Sequence, residues 1–281
     1  MAMITSRNKR PIMKSLVRKG VAKVLTFVGI KVTLTGSGIL GSKIKSVIST
    51  EGRFKFARSA EDRFKWIQNM NIRTVIDVGA HKGESALQFH KLFPDARIFS
   101  FEPIYDCFIE LNSTMKNVPN FRSFNLALAE NKGKLTIHRS EFSPSSSLLK
   151  MAKLHKEAFP FSVDEIIETV DIDTLDNIAS GLELVDNILL KVDVQGYEDK
   201  VILGSTNVLS RIKVIVIETS FYKLYEDQPL FSDIYELLNR HGFMYSGSWG
   251  DLKSPLDGTP LQQDSIFIRR RECVSSQDEI R

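Results

Sequence analysis

The stretch Thr74-Val-Ile-Asp-Val-Gly-Ala-His-Lys-Gly-Glu-Ser85 decides the fold of this 281-residue chain. Residues 74–78 are mostly β-branched and apolar, which is typical of a strand buried on both faces of a parallel sheet. Gly79 and Gly83 follow, and the residues after them have helical composition. Such a turn lets main-chain N–H groups and a helix N-terminus come close to a ligand. The stretch therefore predicts a strand, a ligand-binding loop and a helix.

Strand-like and helix-like segments alternate from residue 61 onward, which predicts βαβ units and a parallel sheet. Besides the strand at 74–78, the apolar runs predict strands at 97–101, 121–128, 169–173, 187–194, 214–218, 241–249 and 265–269, with an extra strand at 134–139.

Charge is distributed unevenly along the chain. Residues 1–60 contain 13 Lys and Arg and one acid, Glu51, a net charge of +12, whereas the remaining residues contain 25 bases and 33 acids, a net charge of −8. Apolar residues between 12 and 28 recur at helical spacing with bases opposite them, which predicts a basic amphipathic helix. We therefore predict a basic helical extension at 1–58, a domain of alternating strands and helices at 59–271 and a short tail at 272–281.

Three roles remain open for the basic extension. It could pack on the domain or form a partly disordered tail, or it could rest on an anionic membrane surface through residues 7–31. The third role, nucleic-acid binding, is disfavoured because the extension does not interleave aromatic with basic residues as single-strand binders do.

Cysteine usage and hydropathy predict a cytoplasmic chain, with peripheral membrane contact as the only membrane association. Cys107 and Cys273 lie far apart and no Cys/His ligand spacing occurs, so we expect free thiols and no metal site. No apolar run approaches the roughly 18 residues that a spanning helix needs. The segment 24–30 is too short and has no cleavage site after it.

Polar residues stand at the predicted carboxyl ends of four strands, the edge at which doubly wound sheets bind ligands. Glu102 follows Asp77 by 25 residues, which places it at the tip of the neighbouring strand. A carboxylate there can accept both hydroxyls of a ribose, although a solvent-exposed loop acid is the alternative. The four groups are Asp77–Gly79, Glu102, 125–127 and 193–198.

The spacing of the loop distinguishes between cofactors. It reads D-x-G-x-x-x-G, whereas dinucleotide enzymes have G-x-G-x-x-G, and His81 and Lys82 stand where a second close glycine would fall. This favours S-adenosylmethionine, which has no pyrophosphate, over NAD(P). An NAD(P)-dependent oxidoreductase and a non-catalytic membrane- or nucleic-acid-associated protein remain as alternatives.

Two segments in the second half of the chain restrict the class of protein further. They are Lys191-Val-Asp-Val-Gln-Gly-Tyr-Glu198 and Val170-Asp-Ile-Asp-Thr-Leu-Asp176. Together they resemble the FkbM family of S-adenosylmethionine-dependent methyltransferases. The resemblance covers about residues 72 to 270. Other pieces fit in the same order, namely 77–83, 101–103, 125–128, the serines at 145–147 and Glu218.

The resemblance implies a Rossmann-like class I methyltransferase, an α/β fold with a seven-stranded, mostly parallel sheet whose last strand is antiparallel. It implies methylation of a hydroxyl on a sugar, glycolipid, polysaccharide or polyketide-like acceptor. The methionine part of the cofactor would lie on the glycine loop, the ribose on Glu102 and the adenine near 125–127. The cofactor-binding residues implied in this way are Asp77, Gly79, Gly83, Glu102, Asn125 and Ala127. His81 and Ser85 complete the predicted cofactor site. His81 could contact the substrate or the methionine carboxylate, and a surface histidine in a turn is the alternative.

Asp193 and Glu198 are the predicted catalytic residues. The carboxylate of Asp193 could orient or deprotonate the acceptor hydroxyl, or it could instead fix the loop at Gly196. Glu198 could hold the substrate or cap the helix after Gly196. Gln195 cannot act as a base, so we expect it to orient its neighbours.

Lys191 is predicted within a buried strand, where its charge requires a partner. Asp171, Asp173 and Glu218 are the candidates. Asp193 and Glu218 could also bind a divalent cation, but two carboxylates do not define a metal site, and none is predicted.

Overall fold

The computed structural model describes residues 23–27, 30–34, 65–140 and 142–270. The chain divides into two units, Met1–Arg63 and Phe64–Arg281. The predicted boundaries after residues 58 and 271 lie outside the described residues, as does the predicted tail.

Within the first unit, β1 (Lys23–Phe27) and β2 (Ile30–Leu34) pair as an antiparallel hairpin, with Phe27 opposite Ile30. The helix predicted between 12 and 28 is therefore wrong from Lys23 onward, and residues 12–22 lie outside the described part. The physical reason is that the segment is rich in Val, Ile and Thr, whose stiff side chains favour strands. The hypothesis that residues 7–31 rest on a membrane as a helix therefore does not hold for residues 23–27 and 30–31, which lie in strands.

The second unit contains the remaining strands. Five of the central ones run parallel, and the last strand lies antiparallel between two of its neighbours. This confirms the predicted seven-stranded, mostly parallel sheet with an antiparallel last strand. In chain order the strands are β3 (Thr74–Val78), β4 (Arg97–Phe101), β5 (Phe121–Phe124), β6 (Ala127–Leu128), β7 (Gly133–Ser140), β8 (Glu165–Asp173), β9 (Ile188–Val192), β10 (Ile212–Ser220), β11 (Phe243–Lys253) and β12 (Pro260–Arg269). The order of the strands in the large sheet is β11-β12-β10-β9-β3-β4-β5.

Helices cover both faces of this sheet. Alternate residues of β3 illustrate the arrangement, because Val75 packs with the helices on one face and Ile76 with those on the other. Burial on both faces explains why the central strands are apolar throughout. The helices are α1 (Lys65–Gln68), α2 (Glu84–Leu92), α3 (Tyr105–Thr114), α4 (Lys153–Ala158), α5 (Leu175–Ala179), α6 (Glu198–Leu203), α7 (Thr206–Leu209) and α8 (Phe231–Arg240). Among the described residues, no helix has the length and apolar character needed to cross a bilayer.

The single strand predicted at 121–128 is wrong, because two strands of different sheets replace it. β5 belongs to the large sheet, whereas β6 joins a three-stranded sheet in the order β6-β8-β7. The break falls at Asn125, whose side-chain amide donates to the carbonyl oxygens of Glu102 and Pro103, both at 2.9 Å. These bonds turn the chain away from the large sheet and toward the small one.

A close backbone contact at Gly204 joins the end of α6 to the chain that follows β6. A Cβ atom at Gly204 would lie 2.0 Å from the carbonyl oxygen of Ala129. We expect Gly204→Ala to lower the free energy of unfolding by about 1–3 kcal/mol, because the two backbones must separate. Thermal unfolding measures this as a fall in Tm of roughly 2–4 °C per kcal/mol. Gly133→Ala is the control, since no atom lies within 4 Å of a Cβ there. Equal losses in the two variants would contradict the steric explanation.

Candidate active site

A cavity of about 250 Å³ opens at the carboxyl ends of β3, β4 and β9. Its walls are the loop after β3, the tip of β4, the chain before and within β6, the 143–148 segment and residues 193–195. The cavity thus lies at the sheet edge that the sequence indicated. Six of the predicted site residues line it, namely Gly79, His81, Ser85, Glu102, Ala127 and Asp193. The other four predicted residues, Asp77, Gly83, Asn125 and Glu198, do not line it.

Gly79 brings the ends of β3 and β9 together. Its φ is +75°, and a Cβ atom at this position would lie 1.8 Å from the carbonyl oxygen of Asp193. Both the conformation and the space therefore require glycine. The N–H groups of Gly79 and Ala80 donate to the carbonyl oxygen of Phe101 at 3.0 and 3.1 Å, which ties the loop to β4 as well.

Asp77 supports the loop from beneath. The side chain is completely buried, and Ser85 at the start of α2 donates its hydroxyl to Asp77 Oδ2 at 2.8 Å. Burial raises the pKa of Asp77, while Lys191 and Ser85 lower it. Gly83, with a φ of +96°, provides the turn into α2. Asp77 and Gly83 therefore shape the cavity without lining it.

The carboxylate of Glu102 faces the cavity, and each of its oxygens accepts one hydrogen bond from the protein. Oε2 accepts from the backbone N–H of His81 at 2.9 Å, and Oε1 accepts from that of Ile104 at 2.8 Å. Burial raises the pKa of Glu102 to about 7, although these two N–H groups act in the opposite direction. Each carboxylate oxygen has a second lone pair, so the group can accept two further hydrogen bonds.

His81 connects the loop to the opposite wall. Its Nε2 lies 2.7 Å from the hydroxyl of Ser143, and its Nδ1 lies 3.5 Å from Glu84 Oε2. The side chain is therefore part of the cavity wall, with a backbone φ of +48° that the glycine-flanked loop imposes.

The wall beside Glu102 is apolar. Asn125, predicted to face a bound ligand, instead holds the backbone of Glu102 and Pro103. Such a wall suits a flat, weakly polar ring. Its residues are Ile104, Leu126, Ala127, Leu128, Ile137 and Leu148.

Lys191 lies between two acids. Its Nζ is 3.6 Å from Asp77 Oδ1, 3.3 Å from Asp193 Oδ2 and 3.1 Å from the carbonyl oxygen of Gly79. Burial by itself would lower the pKa of Lys191, but Asp193 and Asp77 raise it above the usual value. The predicted partners Asp171, Asp173 and Glu218 are wrong, because β9 pairs with β3 in a register that sets Lys191 opposite Asp77.

Asp193 also lines the cavity, with one third of its side chain accessible. Its Oδ1 accepts from the amide of Gln195 at 2.8 Å, and the same nitrogen donates to Glu218 Oε2 at 3.0 Å. Burial raises the pKa of Glu218 well above its usual value, and Asp193 and Glu198 raise it further. Within the described part of the chain, no cluster of three or more His, Cys, Asp or Glu residues is arranged to hold a metal ion.

Glu198 is buried at the start of α6. Its Oε1 accepts from the backbone N–H groups of Val194 and Gly196 at 3.1 and 3.0 Å. Burial raises the pKa of Glu198 to about 7. This geometry favours the capping alternative over a catalytic role, because the carboxylate faces the loop and not the cavity.

Tyr225 is a site residue that the sequence did not indicate. It is completely buried, and its hydroxyl lies 2.9 Å from Gln195 Oε1 and 3.1 Å from the carbonyl oxygen of Ser145. Ser147, from the serine segment named above, donates to the carbonyl oxygen of Gln195 at 2.6 Å. Tyr225 lies in an irregular segment between β10 and α8, where no motif marks it.

The fold and the cavity define a Rossmann-like methyltransferase. The family model described as the methyltransferase FkbM domain matches residues 77–245, and the chain belongs to this family. It is 30% identical over 173 residues to the 2-O-methyltransferase NoeI of Sinorhizobium fredii (strain NBRC 101917 / NGR234). The matched region covers 58% of this chain and 70% of NoeI. The family assignment favours a methyltransferase over the oxidoreductase and binding-protein alternatives.

Solved structures resemble the chain more distantly. Precorrin-6y C5,15-methyltransferase from Geobacter metallireducens GS-15 has a TM-score of 0.39 and 14% identity, covering 77% of this chain and 90% of that one. A putative rRNA-methylase from Clostridium thermocellum has a TM-score of 0.42 and 11% identity, covering 78% of this chain and 99% of that one. Likenesses of this size say nothing about the reaction.

Lys191→Met tests the ion pair beneath the cavity. We expect it to lower the free energy of unfolding by about 3–5 kcal/mol, because it leaves Asp77 buried without a counter-charge. Chemical denaturation measures the loss, and adding Asp77→Asn should recover part of it. The matched control is Lys213→Met in β10, whose Nζ binds two neutral oxygens, of Met70 and Asn187, at 2.8 and 3.1 Å. A control loss as large as that of Lys191→Met, or no recovery in the double variant, would rule out the charge explanation.

Proposed function

We propose that the chain is an S-adenosylmethionine-dependent O-methyltransferase that acts on a hydroxyl of a polyhydroxylated acceptor. The acceptor class is a sugar of a glycan, glycolipid or polysaccharide, or a polyketide-like molecule. One observation carries the proposal: the carboxylates of Glu102 and Asp193 line one cavity, at the tips of strands on either side of β3. One can bind a nucleoside while the other meets a second substrate.

The cavity residues fit the methyl donor, which when bound supplies an electrophilic methyl group on a sulfonium. Glu102 would accept the ribose hydroxyls through its remaining lone pairs. Leu126 and Ala127, with the rest of the apolar wall, would contact the adenine. The N-terminus of α2 (Glu84–Leu92) would attract the carboxylate of the methionine part, because its free N–H groups carry partial positive charge.

Asp193 would receive the acceptor hydroxyl. Its two oxygens are held by Gln195 and Lys191 at 2.8 and 3.3 Å, so the direction of the carboxylate is fixed. Methylation requires the hydroxyl oxygen to lose its proton, and Asp193 is placed to accept that proton or to orient the hydroxyl. The name of the relative NoeI, a 2-O-methyltransferase, supports oxygen as the methylated atom.

The raised pKa of Glu102 predicts pH-dependent binding of the donor. Burial sets this pKa at about 7, and the ionised carboxylate is the better acceptor for two hydroxyls. We expect the Kd for S-adenosylmethionine, measured by calorimetry, to weaken up to roughly tenfold for each pH unit below the pKa. Glu102→Gln should bind more weakly and lose this part of the pH dependence.

Glu110→Gln on α3 is the control for the donor measurement, because that acid forms a surface ion pair with Lys82. Titration of the donor itself is common to all variants and cancels in the comparison. A Glu102→Gln variant with the affinity and pH profile of the wild type would remove Glu102 from donor binding.

Asp193→Ala separates transfer from donor binding. We expect methyl transfer to fall about 10²–10⁴-fold, the range typical of a lost general base, while the Kd for S-adenosylmethionine stays within roughly twofold, well under the tenfold that 1.4 kcal/mol represents. The measurement is incorporation of label from S-adenosylmethionine into cell-surface glycan and small-metabolite extracts. Asp186→Ala is the control, since Asp186 precedes the same strand at its other end and pairs with Arg211. Full transfer by Asp193→Ala would exclude the residue from the reaction.

A further inference from the structure

Gln195 stands between two carboxylates, those of Asp193 just after β9 and of Glu218 near the end of the adjacent strand β10. Its Nε2 lies 2.8 Å from Asp193 Oδ1 and 3.0 Å from Glu218 Oε2. An amide NH₂ group has two hydrogens, so one atom satisfies both acids. Two acids around a single central atom form the arrangement in which a divalent cation commonly bridges carboxylates.

The direction of the Gln195 amide is fixed by its other partners. Its Oε1 lies 2.9 Å from the hydroxyl of Tyr225, which can donate to an oxygen. If the amide were flipped, its oxygen would face the two carboxylates and its NH₂ group would face the hydroxyl. The Asp193 carboxylate can only accept hydrogen bonds, so the orientation with the NH₂ group toward it is the favoured one.

The backbone of the same residue is equally constrained. Gln195 has a φ of +57°, in the left-handed region that side chains other than glycine seldom adopt. Ser147 donates to its carbonyl oxygen at 2.6 Å, and Glu198 binds the N–H groups of both neighbouring residues, Val194 and Gly196. Three hydrogen bonds therefore hold the backbone at and beside Gln195 in this unfavourable conformation.

We propose that Gln195 is the positioning residue of the transfer step, and that its amide nitrogen takes the place of a bridging divalent cation between Asp193 and Glu218. The inference rests on the proposed function of Asp193. Gln195 acts by holding the Asp193 carboxylate toward the cavity, with Tyr225 fixing the amide. Transfer in this chain is accordingly independent of added divalent cation.

Cation binding provides a test that needs no acceptor. Mn²⁺ is titrated into the full-length protein and followed by electron paramagnetic resonance. We expect Gln195→Glu to bind one Mn²⁺, because the change places a third carboxylate oxygen beside the other two, and expect Gln195→Glu/Asp193→Asn to lose it. In the wild type we expect no Mn²⁺ site that depends on Asp193, so the wild type and Asp193→Asn should give the same Mn²⁺ titration. Such binding by the wild type, or no binding by Gln195→Glu, would overturn the proposal.

A kinetic test distinguishes positioning from folding. We expect Gln195→Leu and Tyr225→Phe to lower kcat, on the order of 100-fold for Gln195→Leu and less for Tyr225→Phe, with the KM for the donor unchanged. Gln262→Leu is the matched control, because this buried glutamine of β12 donates to the hydroxyl of Ser220 at 3.2 Å. It should lower Tm without lowering kcat at temperatures below its unfolding.

The two tests fail separately from the proposed function. Unchanged kcat in Gln195→Leu would overturn the positioning role, whatever the result with Mn²⁺. Failure of the wild type to bind S-adenosylmethionine in calorimetry would instead refute the proposed function, while the Mn²⁺ titration would still report whether the amide occupies a cation position.

Discussion

A backbone contact between Gly79 and Asp193 is the constraint on which the whole site depends. Because glycine lacks a Cβ atom, the carbonyl oxygen of Asp193 can lie 1.8 Å from where that atom would stand. The N–H of Asp193 in turn donates to the carbonyl oxygen of Val78 at 3.0 Å. A larger residue at position 79 would separate the ends of β3 and β9, and with them the glycine loop and the carboxylate that share the cavity.

The charged groups at these strand ends are arranged by depth. The Asp77 side chain is completely buried, that of Lys191 is slightly exposed, and that of Asp193 is the most exposed of the three and lines the cavity. Since a buried charge is stable only with a partner, one ammonium compensates the deep acid and also orients the exposed one. The neutral amide of Gln195 lies between Asp193 and Glu218 and donates a hydrogen bond to each of them. It therefore links the two acids without adding a charge to the site.

The sequence predicted those features that arise within a single element. The strands at 74–78 and 97–101 were located to the residue, because each is a short apolar run between turn residues and is buried on both faces. Glu102 was found by its place at a strand end. The strand at 121–128 was wrong because the hydrogen bonds of Asn125 turn the chain into another sheet, and apolar periodicity carries no information about such bonds.

The sequence by itself determined the strand, the glycine loop, the acid after the second strand and membership of the family. Only the tertiary structure decided which acids face the cavity: Asp193 lines it, whereas Asp77 and Glu198 are buried and do not line it. It also decided the partners of Lys191 and brought Tyr225 to Gln195. The physical reason is that local sequence sets the conformation of an element, while contacts between distant residues depend on strand order and register, which are settled only when the sheet assembles.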